Sequence, residues 1–452
     1  MDSKKAIKID KGILKDTLKI AWPAMVESFF IALAAFVDTL MVSTMGEAAV
    51  GSVGLTTQPK MIALAMFFAV GVATSAVVAR RFGEGRRDEA NRVLITSLAF
   101  TVVGSIIVGA LFFFGADFVI KVFQSNETNH DGAVVYLKIV VGAMVFNCVQ
   151  IVINSALRGA GNTKITMYTN IISNTVNVIF NYLLIGGKLG FPALGIKGAA
   201  IATVLGTVVS SAISVISLIP KDRFLNLAFI VKNKIRPSLS SFLLVVKFGY
   251  GVFLEQVLLR FGFSATVIMA SALNSVSVHQ VGMNIVMISF AAGDGLQAAA
   301  VALIGRSLGR REPELAKTYG RCCQLIGFTI SLIYAVLFFT LGSVIMNMFF
   351  PSAPDIASLG TKIVFVIVPM VLFQISQVIF MGALRGAGDT LFTAIISAFS
   401  VTVVRTAVSY LLAYTFSLGI VGVWLGMLSD QLFRFIVSSI RFKRGKWANI
   451  KI

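Results

Sequence analysis

The chain has 452 residues, of which 57% are hydrophobic and 13% are charged, and its formal net charge is +19. Soluble domains carry about 25% charged residues, so this composition excludes an ordinary soluble protein. With two histidines and three cysteines, the chain has few candidate residues for histidine-centred catalysis or for a resident metal site. Neither is expected.

Twelve apolar segments follow one another along the chain, each close to the roughly 20 residues that an α-helix needs to cross a bilayer. They are predicted at 17–43, 50–78, 93–114, 133–157, 165–186, 196–220, 241–271, 278–304, 319–348, 360–383, 393–416 and 421–442. The lysine-rich leader before the first segment has no small-residue cleavage site, so no removable signal peptide is expected. The predicted fold is an all-α integral membrane protein with twelve transmembrane helices.

The basic residues are unevenly distributed among the predicted loops. Of the 39 lysines and arginines, 30 fall on one side of the twelve-helix arrangement. Basic loops stay in the cytoplasm, so both termini are predicted to be cytoplasmic in a multi-pass cell-membrane protein. Because these charges lie in short loops between spans, no nucleic-acid partner is expected.

An internal repeat divides the chain into two halves. ALRGAGNT at 156–163 returns as ALRGAGDT at 383–390, and ARRFGEGRRDEA at 79–90 is echoed by GRSLGRREPELA at 305–316. Each half contains six predicted helices, so both halves begin on the same side of the membrane and form a parallel repeat. The predicted domains are an N-terminal lobe (1–225), a cytoplasmic linker (226–240) and a C-terminal lobe (241–452).

The repeated octapeptide is interpreted as a structural corner, with a gating role as the alternative. Arg158 and Arg385 are expected at helix C-termini, where the helix dipole favours a cation. The glycines permit a tight reversal. Asn162 and Asp389 are expected to cap the following helices.

Asp38 lies in the apolar stretch FFIALAAFVDTLMVS of the first predicted helix. Ionisable groups inside a membrane are expected to be functional. Burial favours the protonated carboxyl and a nearby cation favours the ionised form, so Asp38 can exchange a proton for Na⁺ or a cationic substrate. The alternative is a carboxyl held by polar neighbours for packing. Pro23, fifteen residues earlier, permits either a bend that follows protonation or a static kink.

Four asparagines of the fifth predicted helix share one face, because they step by four, three and four residues: Asn170, Asn174, Asn177 and Asn181. They are interpreted as lining a cation or substrate site, with helix–helix hydrogen bonding as the alternative. The aligned positions of the other half include valines, which places the predicted ion site in the N-terminal half.

Further polar or polarisable residues within the spans are candidates for a substrate cavity. They are Glu27, Asn147, Gln150, Asn154, Glu255, Met283, Met287, Asp294, Gln374 and Gln377. Packing is the alternative for the methionines, and pairing with Arg260 or with other neighbours is the alternative for Glu255.

The other intramembrane charges have structural interpretations. Asp430 and Arg434 have the i, i+4 spacing of a helical ion pair. Arg405 is a candidate to neutralise an acid across the bundle. Lys60 is expected to reach the membrane surface or to pair with an acid.

The whole chain resembles the multidrug and toxic compound extrusion (MATE) transporters of the DinF-like branch. The resemblance rests on Pro23 with Asp38, on MGEAAVGSVGL and GVATSAVVARRFGEGRRDEA, on the doubled octapeptide and on LGIKGAAIAT. It implies two six-helix lobes around a central cavity and export of cationic or amphipathic compounds in exchange for H⁺ or Na⁺. It also implies that Asp38 is the essential carboxylate, with Asn177 and Thr203 near it.

Two departures from the family pattern affect these expectations. Prokaryotic members often have an aspartate where this chain has Asn181, which weakens the case for Na⁺ at Asp38 and Asn177 and favours H⁺. Glu255 precedes the glutamate of some branches by about four residues. The expected cation-coupling set is Asp38, Asn174, Asn177, Asn181 and Thr203. The protein is expected to act as a monomer without a cofactor.

The expected mechanism is alternating access, in which protonation of Asp38 or Na⁺ binding there weakens its hold on the substrate. A lipid-linked saccharide flippase of the same superfamily is the alternative, and it would need a cation-rich cavity to hold pyrophosphate. An intramembrane enzyme is not expected, because the sequence contains no HExxH or GxSxG motif.

Overall fold

The computed structural model describes residues 9–123, 128–351 and 353–450, and its regular elements over these ranges are helices. The lysine-rich leader up to residue 8, on which the expectation about a signal peptide depends, lies outside the described residues. The chain divides into two compact units. One holds residues 29–249, and the other holds the residues up to Ser28 together with those from Tyr250 onward.

Ten helices lie wholly or partly in the unit of residues 29–249. They are α1 (Lys11–Ser43), α2 (Glu47–Gly83), α3 (Arg87–Phe114), α4 (Ala116–Val122), α5 (His130–Gly142), α6 (Met144–Gly159), α7 (Thr163–Ile185), α8 (Ile196–Ile216), α9 (Leu227–Lys232) and α10 (Leu239–Ala272). Two of them cross the division of the chain: α1 starts in the other unit, and α10 ends there.

Six further helices complete the unit that contains the C-terminal part of the chain. They are α11 (Val276–Gly309), α12 (Pro313–Phe349), α13 (Pro354–Gly386), α14 (Thr390–Phe399), α15 (Thr406–Tyr410) and α16 (Gly419–Arg444). The π-helical segment Ser400–Arg405 joins α14 to α15, and a second one, Leu411–Thr415, extends α15, so these elements form one long helix. π-helical segments are rare in proteins, and those that occur are often found at functional sites.

Ten helices within the described ranges are long and apolar enough to cross a membrane. The pair α5 and α6, bent by 52°, would add one more span. The 23 residues of α7 coincide with the remaining predicted span, which carries four asparagines. The chain is therefore an all-helical, multi-pass membrane protein, as predicted.

The fourth predicted span, 133–157, differs from the expectation of one straight helix. It is broken at Ala143 between α5 and α6. Gly142 ends α5 at this point, and glycine is a common site of sharp kinks because it adds little steric restraint.

The repeated octapeptides form corners in both units. Arg158 lies in the last turn of α6 and Arg385 in the last turn of α13. Gly161 and Gly388 have φ values of 83° and 91°, which L-residues with a side chain rarely adopt. The predicted tight reversal is confirmed at both positions.

The predicted side-chain caps at these corners are wrong. Asn162 and Asp389 occupy the N-cap positions of α7 and α14, but neither side chain makes the capping hydrogen bond. Asp389 Oδ2 instead accepts a hydrogen bond from Arg441 Nε at 2.8 Å. A charged partner from a distant helix has replaced the local backbone donor.

A second glycine of each octapeptide allows two helices to approach closely. A Cβ atom on Gly159 would lie 2.3 Å from the carbonyl oxygen of Ser75 in α2. A Cβ atom on Gly386 would lie 2.7 Å from Cα of Val301 in α11. Ser75 and Val301 are equivalent in the repeat, so the same close helix contact occurs in both units.

The predicted linker starts on residues that are fixed to α3. The backbone N–H of Asn226 donates to Oδ1 of Asn91 in α3 at 2.9 Å, and Asn226 Nδ2 donates to the carbonyl of Pro220 at 2.7 Å. Arg87 of α3 donates to the carbonyl of Arg223 at 2.5 Å. These bonds hold the segment between α8 and α9 against the cytoplasmic end predicted for α3.

Gly159→Ala is expected to lower the free energy of unfolding by about 1–3 kcal/mol, because the added methyl group overlaps a backbone carbonyl that cannot move aside alone. The measurement is the apparent melting temperature of the purified protein in detergent. Gly54→Ala is the matched control, since a Cβ atom there meets nothing within 4 Å. Equal melting temperatures for the two variants would contradict this account of the corner.

Candidate cation-coupling site

Asp38 lies in the second half of α1, within the unit of residues 29–249. Its Oδ1 atom accepts a hydrogen bond from Nδ2 of Asn181 on α7. Asp38 is partly buried and Asn181 is fully buried. In the described part of the chain no arginine pairs with Asp38, so its carboxylate is held by a neutral amide.

A hydrogen-bonded chain extends from Asn181 toward α8. Asn181 Nδ2 donates to Asn177 Oδ1 at 3.4 Å, and Asn177 Nδ2 donates to Thr203 Oγ1 at 3.4 Å. Thr203 Oγ1 donates to the carbonyl of Ala199 at 3.0 Å. The Tyr136 hydroxyl of α5 lies 3.5 Å from Thr203 Oγ1, and sequence reasoning did not identify it.

The other end of the asparagine stripe makes contacts between helices. Asn170 Oδ1 accepts from Gln150 Nε2 at 2.9 Å, and Gln150 Oε1 accepts from Ser210 at 2.5 Å. Asn154 Oδ1 accepts from Ser214 at 3.0 Å. This end of the stripe matches the alternative of helix–helix hydrogen bonding.

Asn174 lies between the two ends of the stripe. Its Nδ2 atom and Asn181 Oδ1 are buried and have no hydrogen-bond partner among the described residues. The oxygen atoms of the hydrogen-bonded chain that leads to Asp38 belong to amides and hydroxyls, which are hard, neutral ligands. The described residues contain no cluster of three or more His, Cys, Asp or Glu that could hold a metal.

A cavity of about 200 Å³ adjoins this network. Its polar lining consists of Lys60, Asn147, Thr203 and Thr207, and the rest is apolar, including Phe68. Among these lining residues, all of them in the described part of the chain, Lys60 alone is ionisable. Lys60 is also the cation that acts electrostatically on Asp38. The sequence indicated only that Lys60 pairs or reaches the surface, because nothing local links it to Asp38.

Glu255 of α10 is paired with an arginine that follows it by 130 positions in the sequence. Both of its carboxylate oxygens lie 2.7 Å from Nη2 of Arg385, and the side chain is buried. The alternative expected from the sequence was pairing with Arg260 or with other neighbours, and the structure shows the neighbour Arg385 rather than Arg260. Arg385 therefore has a tertiary partner in addition to its place at the end of α13.

The candidate glutamines of α13 also bind side chains of neighbouring helices. Gln374 Oε1 accepts from Ser289 Oγ at 3.2 Å, and Gln377 Nε2 donates to Gln431 Oε1 at 3.2 Å. Both glutamines are buried. These contacts lie inside the unit that contains the C-terminal part of the chain.

Asp430 of α16 is the centre of a buried ionic cluster. Its Oδ2 atom lies 2.5 Å from Arg405 Nη2 and 2.9 Å from Arg434 Nη2, and its Oδ1 atom accepts from Ser400 at 2.6 Å. The Arg405 guanidinium also lies 4.7 Å from the ring centre of Phe263. The predicted i, i+4 pair and the predicted neutralising role of Arg405 are both confirmed.

The remaining candidates are dispersed. Pro23 lies inside α1 and is buried, as is Glu27. Met283 packs against the hydrophobic core, in agreement with the packing alternative, whereas Met287 is 47% exposed. Asp294 is exposed.

Comparison with known proteins decides the family. A sequence profile of the MatE family matches residues 23–183 and 251–411, which together exceed half of the chain. The chain belongs to the MatE family. Membership places this protein among transporters rather than enzymes. The match confirms the predicted MATE family. It does not specifically support the DinF-like branch.

Relatives of this MatE protein match over almost their whole length. A probable multidrug resistance protein NorM of Thermotoga maritima is 27% identical over 443 residues, covering 96% of this chain and 93% of that protein. The uncharacterized transporter YisQ of Bacillus subtilis is 24% identical, covering 95% and 94%. The fold matches an outward-facing structure of a multidrug resistance MATE family transporter, with a TM-score of 0.88 at 21% identity over 97% of this chain and 100% of that one.

Asp430→Asn is expected to destabilise this MatE protein by about 3–5 kcal/mol, because it leaves two buried guanidinium groups without a counter-charge. The change would be measured as a lower apparent melting temperature in detergent. Ser429→Ala is the matched control, since the Ser429 hydroxyl donates to the carbonyl of Gly426 in its own helix and not to the ionic cluster. An unchanged melting temperature for Asp430→Asn would show that the cluster does not support the fold.

Proposed function

We propose that this MatE protein exports cationic or amphipathic small molecules across the cell membrane in exchange for H⁺ or Na⁺, by alternating access. We further propose that it belongs to the DinF-like branch and acts as a monomer with both termini in the cytoplasm. Its working lobes are residues 1–225 and 241–452, joined by the linker 226–240. Similarity to proteins named for multidrug resistance supports this assignment.

The observation that carries the proposal is the way Asp38 is held. Asp430 is clamped by two arginines and Glu255 by one, so neither carboxylate is free to exchange its counter-ion. Asp38 is held instead by the amide of Asn181. A carboxylate with a neutral partner can bind and release a cation without breaking a buried ion pair.

The composition of the site favours H⁺ over Na⁺. The Asp38 carboxylate accepts from the amide of Asn181, which contributes no second negative charge. A proton needs only that single carboxylate. Moving one charge across 100 mV is worth about 2.3 kcal/mol, but exchange of one H⁺ for one monovalent cation is electroneutral. Such exchange would be driven by the pH gradient.

Three buried ion pairs within the helices favour this assignment over a pyrophosphate-binding flippase. Arg405 and Arg434 share Asp430, and Arg385 is paired with Glu255. A diphosphate would have to compete with these carboxylates for the guanidinium groups.

Asp38→Asn is expected to abolish efflux, because an amide cannot take up and release a proton at this position. The measurement is transport of a cationic dye by proteoliposomes under separately imposed pH and Na⁺ gradients. Asp117→Asn is the matched control, because Asp117 is an exposed carboxylate on α4 that pairs with Lys121 and His130. Undiminished efflux by Asp38→Asn would refute the proposed role.

Asn181→Asp is expected to create a dependence on Na⁺, because it places a second carboxylate beside Asp38. Transport driven by an imposed Na⁺ gradient should rise severalfold above that of the unmodified protein. Asn181→Ala serves as the comparison, since it removes the bond to Asp38 without adding charge. If Na⁺ drives Asn181→Asp no better than it drives the unmodified protein, charge at position 181 does not select the coupling ion.

A further inference from the structure

The cavity beside the asparagine network has a lysine as the one ionisable residue of its lining, although the proposed cargo is itself cationic. Lys60 of α2 lines it, together with groups of α5, α6 and α8 that are apolar or carry neutral amides and hydroxyls. Asp38 is not among the lining residues. The lining therefore offers a bound cation a lysine amine and no carboxylate.

Lys60 and Asp38 act on each other within one unit of the fold. Among the described residues, Lys60 of α2 and Tyr136 of α5 are the ionisable groups close enough to Asp38 for an electrostatic interaction, and Asn181 of α7 donates its amide to Asp38. Thr203 belongs both to the cavity lining and to the hydrogen-bonded chain that ends at Asp38. The carboxylate and the cavity are thus connected electrostatically and by hydrogen bonds.

We propose that the Lys60 ammonium competes with the cationic cargo for the cavity. While Asp38 is ionised, its carboxylate neutralises the charge of Lys60. Once Asp38 binds a proton, the charge of Lys60 is left uncompensated. This inference rests on the proposed cation exchange at Asp38. It assigns a coupling role to a residue outside the asparagine stripe.

The summed charge of Asp38 and Lys60 explains why proton uptake is coupled to release of the cationic cargo. With Asp38 ionised, Asp38 and Lys60 sum to zero, and the apolar cavity can hold a monovalent amphiphilic cation. With Asp38 protonated, the pair has a charge of +1, and the same cation is repelled. Water screens such a charge weakly inside a helical bundle. Proton uptake therefore expels the cargo even though Asp38 does not touch it.

The test is a charge cycle on the full-length protein in nanodiscs. Equilibrium binding of ethidium, a monovalent amphiphilic cation, is measured at pH values above and below the point where binding weakens. The variants are Asp38→Asn, Lys60→Met and the double variant. An uncharged amphiphile, N-phenyl-1-naphthylamine, is the ligand control, and monodispersity in size-exclusion chromatography verifies folding.

Asp38→Asn fixes the pair at +1, so ethidium binding should be weak and independent of pH. Adding Lys60→Met restores a pair charge of zero, so the double variant should regain on the order of tenfold affinity at every pH. Lys60→Met alone should hold ethidium at low pH, where the unmodified protein releases it, whereas Lys60→Arg should still release it. Binding of the uncharged amphiphile should not follow the charge of the pair.

The inference is overturned if the double variant binds ethidium no better than Asp38→Asn, or if Lys60→Met and Lys60→Arg release it alike at low pH. Failure of the proposed function looks different. In that case Asp38→Asn itself would bind with the pH dependence of the unmodified protein and would still transport.

Discussion

The site depends on the hydrogen bond between the Asp38 carboxylate and the Asn181 amide. A carboxylate inside an apolar helical bundle needs polar partners, because an unpaired buried charge is costly. An arginine would satisfy it permanently, as Arg405 and Arg434 satisfy Asp430. An amide stabilises the carboxylate without cancelling its charge, so the group remains able to bind and release a cation.

The two halves share a scaffold but differ in their charged interiors. Gly159 and Gly386 let equivalent helices approach closely, and Gly161 and Gly388 turn the chain at equivalent corners. These features recur because they are set by backbone geometry, which both halves require. The charged groups do not recur. Asp38 of the N-terminal half is held by an amide, whereas Glu255 and Asp430 of the C-terminal half are paired with arginines.

The sequence predicted least well which residue each charged side chain pairs with. The i, i+4 pair of Asp430 and Arg434 was predictable because both residues lie on one helix. Asp389 was expected to cap its own helix, yet it binds Arg441, 52 positions away. A local donor and a distant arginine compete for such a carboxylate, and the charged hydrogen bond is stronger. Sequence spacing cannot reveal that competitor, because helix packing alone brings it into reach.

The sequence by itself determined the membrane class, the approximate spans, the family and the candidate acid at position 38. These follow from the length of apolar runs and from the cost of charge in a bilayer, which are local properties of the chain. Only the tertiary structure decided that Thr203 connects the asparagines to a cavity, that Lys60 lines this cavity, and that Glu255 belongs to Arg385. The physical reason is that these contacts join different helices, and their geometry is set by how the helices pack.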